Sequence, residues 1–278
     1  MYLLIKIKCK FSIFKFCVIL LLQKKLKIYI NFQMSYSDSQ ILQKLGKNII
    51  IEPFNRSQLG PNSHDVTLGK YYYRYNSKNP PKYLSTLNPE QILQYWNVNS
   101  KSSNFGAHKA KLIKTQQQVD KYGVKVGQRI IVLQPGELIL AHTQEIIGTI
   151  KNCNSMIQSK SSNMRCTITI CQDSNFANIG YINRFTLEIQ NHGQVPVVLI
   201  VGQRIGQVIF NKTGDVLNSY EGNYNIGNLQ EVKKNWTPLC MIPSIAVTHL
   251  LGQNYNTWIK KRKNGEEQND NNKRVKLS

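Results

Sequence analysis

The 278-residue chain is short of acids: 15 Asp and Glu stand against 36 Lys and Arg, a formal net charge of +21. A polyphosphate ligand, a nucleic acid or a plain solvated surface would each suit that imbalance, so it narrows the partners without choosing one. Cysteine is sparse and poorly spaced. Cys9, Cys17, Cys153, Cys166, Cys171 and Cys240 form no C-x-x-C pair, which argues against a structural zinc site or a disulfide framework and makes a reducing compartment the default. The pattern H-x-E followed by P-C-x-x-C is also missing. Zinc-dependent nucleobase deaminases hold their metal with it, so that class is excluded. Long apolar runs are lacking too. The stretch Phe11 to Leu22 has 12 residues, where a spanning helix needs about 20, so no stable membrane insertion is expected. No repeat of fixed period is found.

What is present falls into three parts. Residues 1–33 carry seven lysines and no acid. They read as a signal anchor, an organelle-targeting leader or upstream sequence from a mis-called start, with Met34 opening a sensible domain. Residues 260–278 carry seven Lys and Arg against three acids and read as a disordered tail. Within it, Lys260–Lys263 and Lys273–Leu277 resemble a bipartite nuclear import signal, with a solubilising or RNA-binding tail as the alternative. The expected location is therefore cytoplasmic or nuclear, with an import receptor as a partner. Removing both ends leaves a net charge of about +10 for the middle.

That middle reads as mainly β. Ser35–Asp38 caps a helix over Ser39–Leu45 that Gly46 stops. Strand signals follow at Ile49–Ile51, Val66–Leu68, Tyr71–Tyr75, Arg129–Leu133, Leu138–Ala141, Thr167–Cys171, Arg184–Ile189, Val195–Val201 and Arg204–Phe210. Residues 76–120, rich in Asn, Ser, Lys and Gln, read as a long loop or insertion with a helix over Pro89–Trp96. Many short strands with Gly, Pro and Asn turns predict a sandwich, jelly roll or barrel.

Chemistry concentrates between Gln158 and Glu188. Lys160-Ser161-Ser162 supplies a cation, hydroxyls and free backbone N–H groups, which a phosphate chain needs. Glu188 is an acid inside the apolar strand Phe185–Ile189, and Arg165 stands 23 residues before it. A buried carboxylate is costly unless paired, so an Arg165–Glu188 pair is expected, either structural or catalytic.

Six segments then resemble one family in order, from about residue 38 to 243. Ser161-Ser162-Asn163-Met164-Arg165, with Lys160 ahead of it, is similar to R-S-S-x-x-R, and Leu187-Glu188, similar to the L-E strand, stands at the spacing of the family's deaminating branch. Asn191–Pro196 resembles N-x-G-x-x-P, and Gly202–Gln207 resembles G-x-R-I-x-Q. Ser63–Gly69 resembles S-x-D-x-x-L-G, and Pro135–Ala141 resembles P-G-E-x-x-L-A. The family is that of the dCTP deaminases and dUTPases. The resemblance implies a distorted jelly roll or β-barrel of the dUTPase-like type over 34–243, with 244–278 as a C-terminal extension. It implies a homotrimer with active sites at subunit interfaces. Glu188 would be the general base that activates water against C4 of cytosine, Arg165 would orient it, and Ser161 would bond the reaction centre or a phosphate. Lys160, Ser162, Gln207, Tyr220 and Tyr224 would bind the nucleotide and its phosphates. Gln172, Ser174, Phe176 and Tyr181 would form the base pocket. Mg²⁺ would enter bound to the substrate triphosphate, and no zinc would be needed.

Departures accompany the matches. Asn178 stands where the dUTPase branch activates water with Asp, and an amide cannot accept a proton. Phe176 replaces the Arg of some deaminases, and Asn223 a common phosphate-binding Lys. The leading expectation is thus metal-independent conversion of dCTP to dUTP and ammonia, feeding dUMP and dTTP synthesis. The alternatives are a dUTPase, a bifunctional enzyme, or an inactive trimer that binds nucleotides or nucleic acid. His64 and His192 read as non-catalytic, and Trp236 as a packing residue.

Overall fold

Alternation of apolar side chains with period two accounts for most of the architecture. The computed structural model describes residues 35–253, 255 and 257–259; the leader expected over 1–33 and both basic tail clusters lie outside the described residues. Helix α1 (Asp38–Lys44) begins where the Gln40 side chain accepts the Ser37 amide proton at 2.9 Å. Gly46, at φ 74°, ends it. Strands β1 (Ile49–Glu52), β2 (His64–Thr67) and β3 (Tyr71–Arg74) precede helix α2 (Pro89–Tyr95). Then come β4 (His108–Lys109), β5 (Lys111–Leu112), helix α3 (Gln116–Tyr122) and β6 (Arg129–Leu133). The long β7 (Leu138–Thr149) and β8 (Cys153–Ser159) lead to the one-turn helix α4 (Ser161–Arg165). Strands β9 (Ile168–Ile170), β10 (Phe176–Ala177), β11 (Ile182–Asn191), β12 (Val197–Ile200) and β13 (Arg204–Lys212) complete the sheets. Helix α5 (Leu229–Asn235), a 3-10 turn (Pro238–Met241) and helix α6 (Ser244–Leu251) follow.

The spine is β7, which pairs with β11 on one edge and with β3 and β1 on the other. A second sheet runs β10-β8-β13-β2 and a third β12-β6-β5. The fold is sheet-rich as expected, but the barrel is corrected: among the described residues no sheet closes. The outermost strands β4, β9, β10 and β2 have only two to four residues, too short a ladder to bridge from edge to edge.

Two cores result. Between the first two sheets, Val66, Leu68, Ile157, Leu187, Ile189, Val208 and Phe210 are wholly excluded from solvent, each burial contributing about 1.5–3 kcal/mol. A second core covers the outer face of β7 and β11. There Tyr73, Ile146 and Ile182 meet Ile92 and Trp96, together with Val232, Met241, Val247, Tyr255 and Trp258 from the C-terminal segment.

The turn after β11 shows why its residue types matter. Asn191 is fully buried. Its Oδ1 accepts from Gly193 N at 2.9 Å and Thr167 Oγ1 at 3.0 Å, and its Nδ2 donates to the Leu133 and Val195 carbonyls. All four bonding positions of the amide are used, so Asp or Ser would leave buried partners unmet, at about 1–3 kcal/mol each.

Residues 76–120 are more structured than a loop. They hold α2, as expected, and also β4, β5 and most of α3, whose Thr115 hydroxyl accepts from Gln118 N at 3.3 Å. No helix of the described residues is long and apolar enough to cross a membrane.

Candidate active site

Strand β11 turns Leu187 and Ile189 into the first core and Thr186 and Glu188 toward a cavity of about 500 Å³. A register shift against β7 between Arg184 and Thr186 kinks the strand, and Phe185 also reaches the cavity edge. Glu188 faces Leu140 of β7 on one side. On the other side the Cys171 amide donates to the Glu188 carbonyl at 3.1 Å, just past the end of β9. Cys171 adopts a left-handed backbone, φ 48°, uncommon for a side-chain-bearing residue. Its thiol donates to the Thr186 carbonyl at 3.3 Å and lies within hydrogen-bonding reach of the Glu188 carboxyl.

The Glu188 Oε2 is shielded from solvent and has no hydrogen-bond partner. Burial pushes its carboxyl above the usual 4.5, and bonds from its own amide and the Cys171 thiol offset this in part. A carboxyl so placed favours holding a proton more than an exposed one does, which suits proton transfer near neutrality.

The walls come from distant segments. Ser174, Phe176, Ala177 and Asn178 form one side, and Tyr181 the floor beside them. Tyr220 and Tyr224 cross over this turn, held by the Tyr220 amide donating to the Ile179 carbonyl at 2.7 Å. The crossing is close because Gly180 has no side chain: a Cβ there would stand 2.9 Å from Ser219 Cβ and Tyr220 N. Trp96, Cys240, Met241 and Pro243 close the remaining side. Among the described residues no Lys or Arg lines the cavity. As it stands in one chain, it suits a base and sugar rather than a phosphate chain.

Of the residues expected from sequence, the cavity collects Glu188, Ser174, Phe176, Tyr181, Tyr220 and Tyr224. The other six lie outside it. Arg165 ends α4, is exposed, and has no ion pair among the described residues. Within one chain the expected Arg165–Glu188 pair does not form. Helix α4 enters β9 at the end where Ile168 pairs with Asn191, whereas Glu188 lies at the opposite end beside Cys171. Ser161 and Ser162 are exposed on the same helix, and Gln172 is exposed with its amide donating to Gln190 at 3.0 Å. Gln207 sits half-buried in β13, between Asp65 and Gln158. The Lys160 ammonium donates to both Asp65 oxygens, at 2.7 and 2.8 Å, and Arg204 Nη1 reaches Asp65 Oδ2 at 3.3 Å. Asp65 thus ties α4, β2 and β13 together.

The histidines stand apart from the cavity. His64 is fully buried with Nε2 3.3 Å from the Asn55 carbonyl, and burial lowers its pKa. His192 meets Thr169 Oγ1 at 2.8 Å in the turn after β11. Trp236 packs on His142, ring centroids 4.5 Å apart, with Arg184 5.4 Å from its ring. Among the described residues no group of three or more His, Cys, Asp or Glu side chains could hold a metal ion. Sequence reasoning missed Cys171, Trp96, Cys240, Met241 and Pro243. Only Cys171 had a signal, as the residue that pairs across to an acid in a neighbouring strand.

A family model described as dCTP deaminase-like matches residues 35–213, more than half of the sequence, and the chain belongs to that family. Membership places it among the hydrolytic enzymes of nucleotide metabolism. The dUMP-forming dCTP deaminase of Methanocaldococcus jannaschii is 32% identical over 188 residues, 64% of this chain and 82% of that one. A protein of the same description from Acidothermus cellulolyticus is 23% identical over 206 residues, 74% of this chain and 94% of that one. A solved 2'-deoxycytidine 5'-triphosphate deaminase from Agrobacterium tumefaciens aligns at 20% identity with a TM-score of 0.45, over 68% of this chain. This chain spans about half, 51%, of that chain's length.

Proposed function

We propose that the chain deaminates dCTP at C4 and carries the product on to dUMP, releasing ammonia and pyrophosphate. The observation that carries the first step is Glu188: a half-buried acid whose Oε2 is shielded from solvent and unpartnered, facing a nucleoside-sized cavity that no cation lines among the described residues. In this reading ionised Glu188 takes a proton from water as its oxygen attacks C4. The same carboxyl returns the proton to the amino group, the C4–N bond breaks and ammonia leaves. The wall of apolar and aromatic side chains excludes bulk water and strengthens each electrostatic contact inside.

The missing cations are supplied by assembly. In a homotrimer, α4 of one protomer would face the cavity of the next, bringing Arg165 to Glu188 and Ser161 and Ser162 to the reaction centre and phosphates. A guanidinium beside Glu188 would lower its pKa and keep it ionised and oriented. Gln207 would reach the nucleotide from the same protomer as α4, whereas Gln172, next to Cys171, would border the base from Glu188's own side. Lys160 would face phosphate only by sharing its ammonium with Asp65. Mg²⁺ would arrive on the triphosphate as part of the substrate, since among the described residues Glu188 is the one carboxylate lining the cavity.

The dUMP end point is supported by likeness to the dUMP-forming deaminases from Methanocaldococcus jannaschii and Acidothermus cellulolyticus, each matched over four fifths or more of its length. A second reading, supported by Asn178 at the cavity wall, stops at dUTP, because that amide cannot take a proton from the second water. Incubation with dCTP and Mg²⁺, with nucleotide, ammonia and pyrophosphate each quantified, separates the two.

A further inference from the structure

We infer that Trp96 and Met241 are specificity-determining residues, forming a fixed apolar wall against which the pyrimidine ring is held. This rests on the reading of the cavity as a deoxycytidine nucleotide site and says which residues select the base. The family match ends at residue 213, yet Tyr220, Tyr224, Cys240, Met241 and Pro243 of the cavity all come later in the chain. Of the two wall residues, Met241 therefore lies beyond the part shared with the family model and Trp96 within it.

The wall is anchored, not hung over the cavity. Trp96 is 8% and Met241 4% exposed, and both belong to the second core. The Tyr224 hydroxyl donates to the Ile242 carbonyl at 2.7 Å, and Asn183 Nδ2 donates to the Tyr224 carbonyl at 2.9 Å. Asn183 is itself buried on β11, five residues before Glu188. One strand thus fixes the distance between the acid and the wall.

Selectivity follows from what the wall cannot bond. The Tyr224 hydroxyl is committed to Ile242, and the Tyr181 hydroxyl to the Arg184 carbonyl at 3.2 Å. Atom C5 of the base is bonded to C4, so a C5 substituent stays near Glu188 and meets the same walls. Hydrogen or methyl there is compatible with apolar surface. A hydroxymethyl group turned to the Trp96–Met241 wall, away from Ser174, Asn178 and Thr186, would bury an unpaired hydroxyl, costing about 10- to 100-fold in affinity. The ligand class is 2'-deoxycytidine nucleotides with an apolar C5 position.

The test measures kcat and KM of the full chain with dCTP, 5-methyl-dCTP and 5-hydroxymethyl-dCTP. The wild type is expected to accept the first two and to disfavour the third. Met241→Ala should raise KM for dCTP about tenfold while kcat changes little, as apolar contact is lost equally in ground and transition states. Met241→Leu should restore KM, and Met241→Gln should narrow the discrimination against the hydroxymethyl base. If Met241→Ala does not fold, Trp96→Phe and Met241→Gln carry the test. Unchanged KM and unchanged discrimination in folded variants overturn the inference. If the wild type releases no ammonia, calorimetry with the same nucleotides separates the claims. Weaker dCTP binding by Met241→Ala sustains the wall and removes only the deamination; equal binding removes the wall; no binding by the wild type removes both.

Discussion

Glu188 and Cys171 face each other across the end of the β11–β9 ladder, joined by a 3.1 Å bond from the Cys171 amide to the Glu188 carbonyl. The pairing buries one carboxylate oxygen without a partner. Replacing Glu188 by Gln should reduce ammonia release by at least about 10³-fold while nucleotide binding persists, the pattern for loss of a general base. Stability should respond as well. The folded pKa lies above 4.5, so the stabilising effect of the protonated carboxyl is full below 4.5 and lost as pH rises through the folded value. Gln stays neutral throughout. In an Arg165→Ala background, which removes the guanidinium a neighbouring protomer would bring, adding Glu188→Gln should therefore raise the melting temperature at neutral pH, and the two curves should converge below 4.5. A gap that is constant with pH would contradict the assignment.

Among the described residues of its own chain Arg165 has no ion pair, which makes complementation informative. Arg165→Ala and Glu188→Gln should each be inactive alone. Mixed in equal amounts, unfolded and reassembled, they should regain about a quarter of wild-type activity, because each interface site needs one intact residue from each of two chains. Recovery of nothing would place both residues in a site made by one chain; an Arg165→Ala variant active alone would place Arg165 in none.

Asp65 is nearly buried and holds two cations. Asp65→Asn should destabilise the chain by about 2–3 kcal/mol, the lower end for a buried pair because both cations can partly rehydrate. Urea unfolding reads this directly. A loss under about 0.5 kcal/mol would show that Asp65 does not anchor α4.

His142 is 4% exposed, donates from Nδ1 to the Thr143 carbonyl at 2.8 Å and accepts the Tyr71 amide at Nε2. Burial pushes its pKa down to about 3 from 6.5. A lowered folded value means stability is full above 6.5 and lost as pH falls toward 3, at up to about 1.4 kcal/mol per pH unit. Chemical denaturation of wild type and His142→Gln across that range should show a steeper decline in the wild type, the decline left in the variant coming from groups such as buried His64.

Much of the sheet was legible because its strands alternate cleanly: Arg129–Leu133 was expected to the residue, and β11 was found with its ends short. Strand β8 was missed because its buried positions include Cys153 and Ser155, which do not read as a core stripe. Helix α5 did carry a signal, Asn228 with Glu231 three residues on, each bonding the other's amide. At the site, Glu188 announced itself as an acid in an apolar strand. Trp96 and Met241 could not, since their place at the cavity depends on a second core assembled from distant segments. Arg165 shows a different limit: spacing along the chain says nothing about which copy of the chain a side chain serves.

The most direct measurement incubates the assembled protein with dCTP and Mg²⁺ and quantifies every product over time. The account predicts dUMP, ammonia and pyrophosphate in equal amounts from the wild type, and none of the three from Glu188→Gln. Ammonia formation that survives the loss of Glu188, or a wild type that binds dCTP and releases no ammonia, would contradict it.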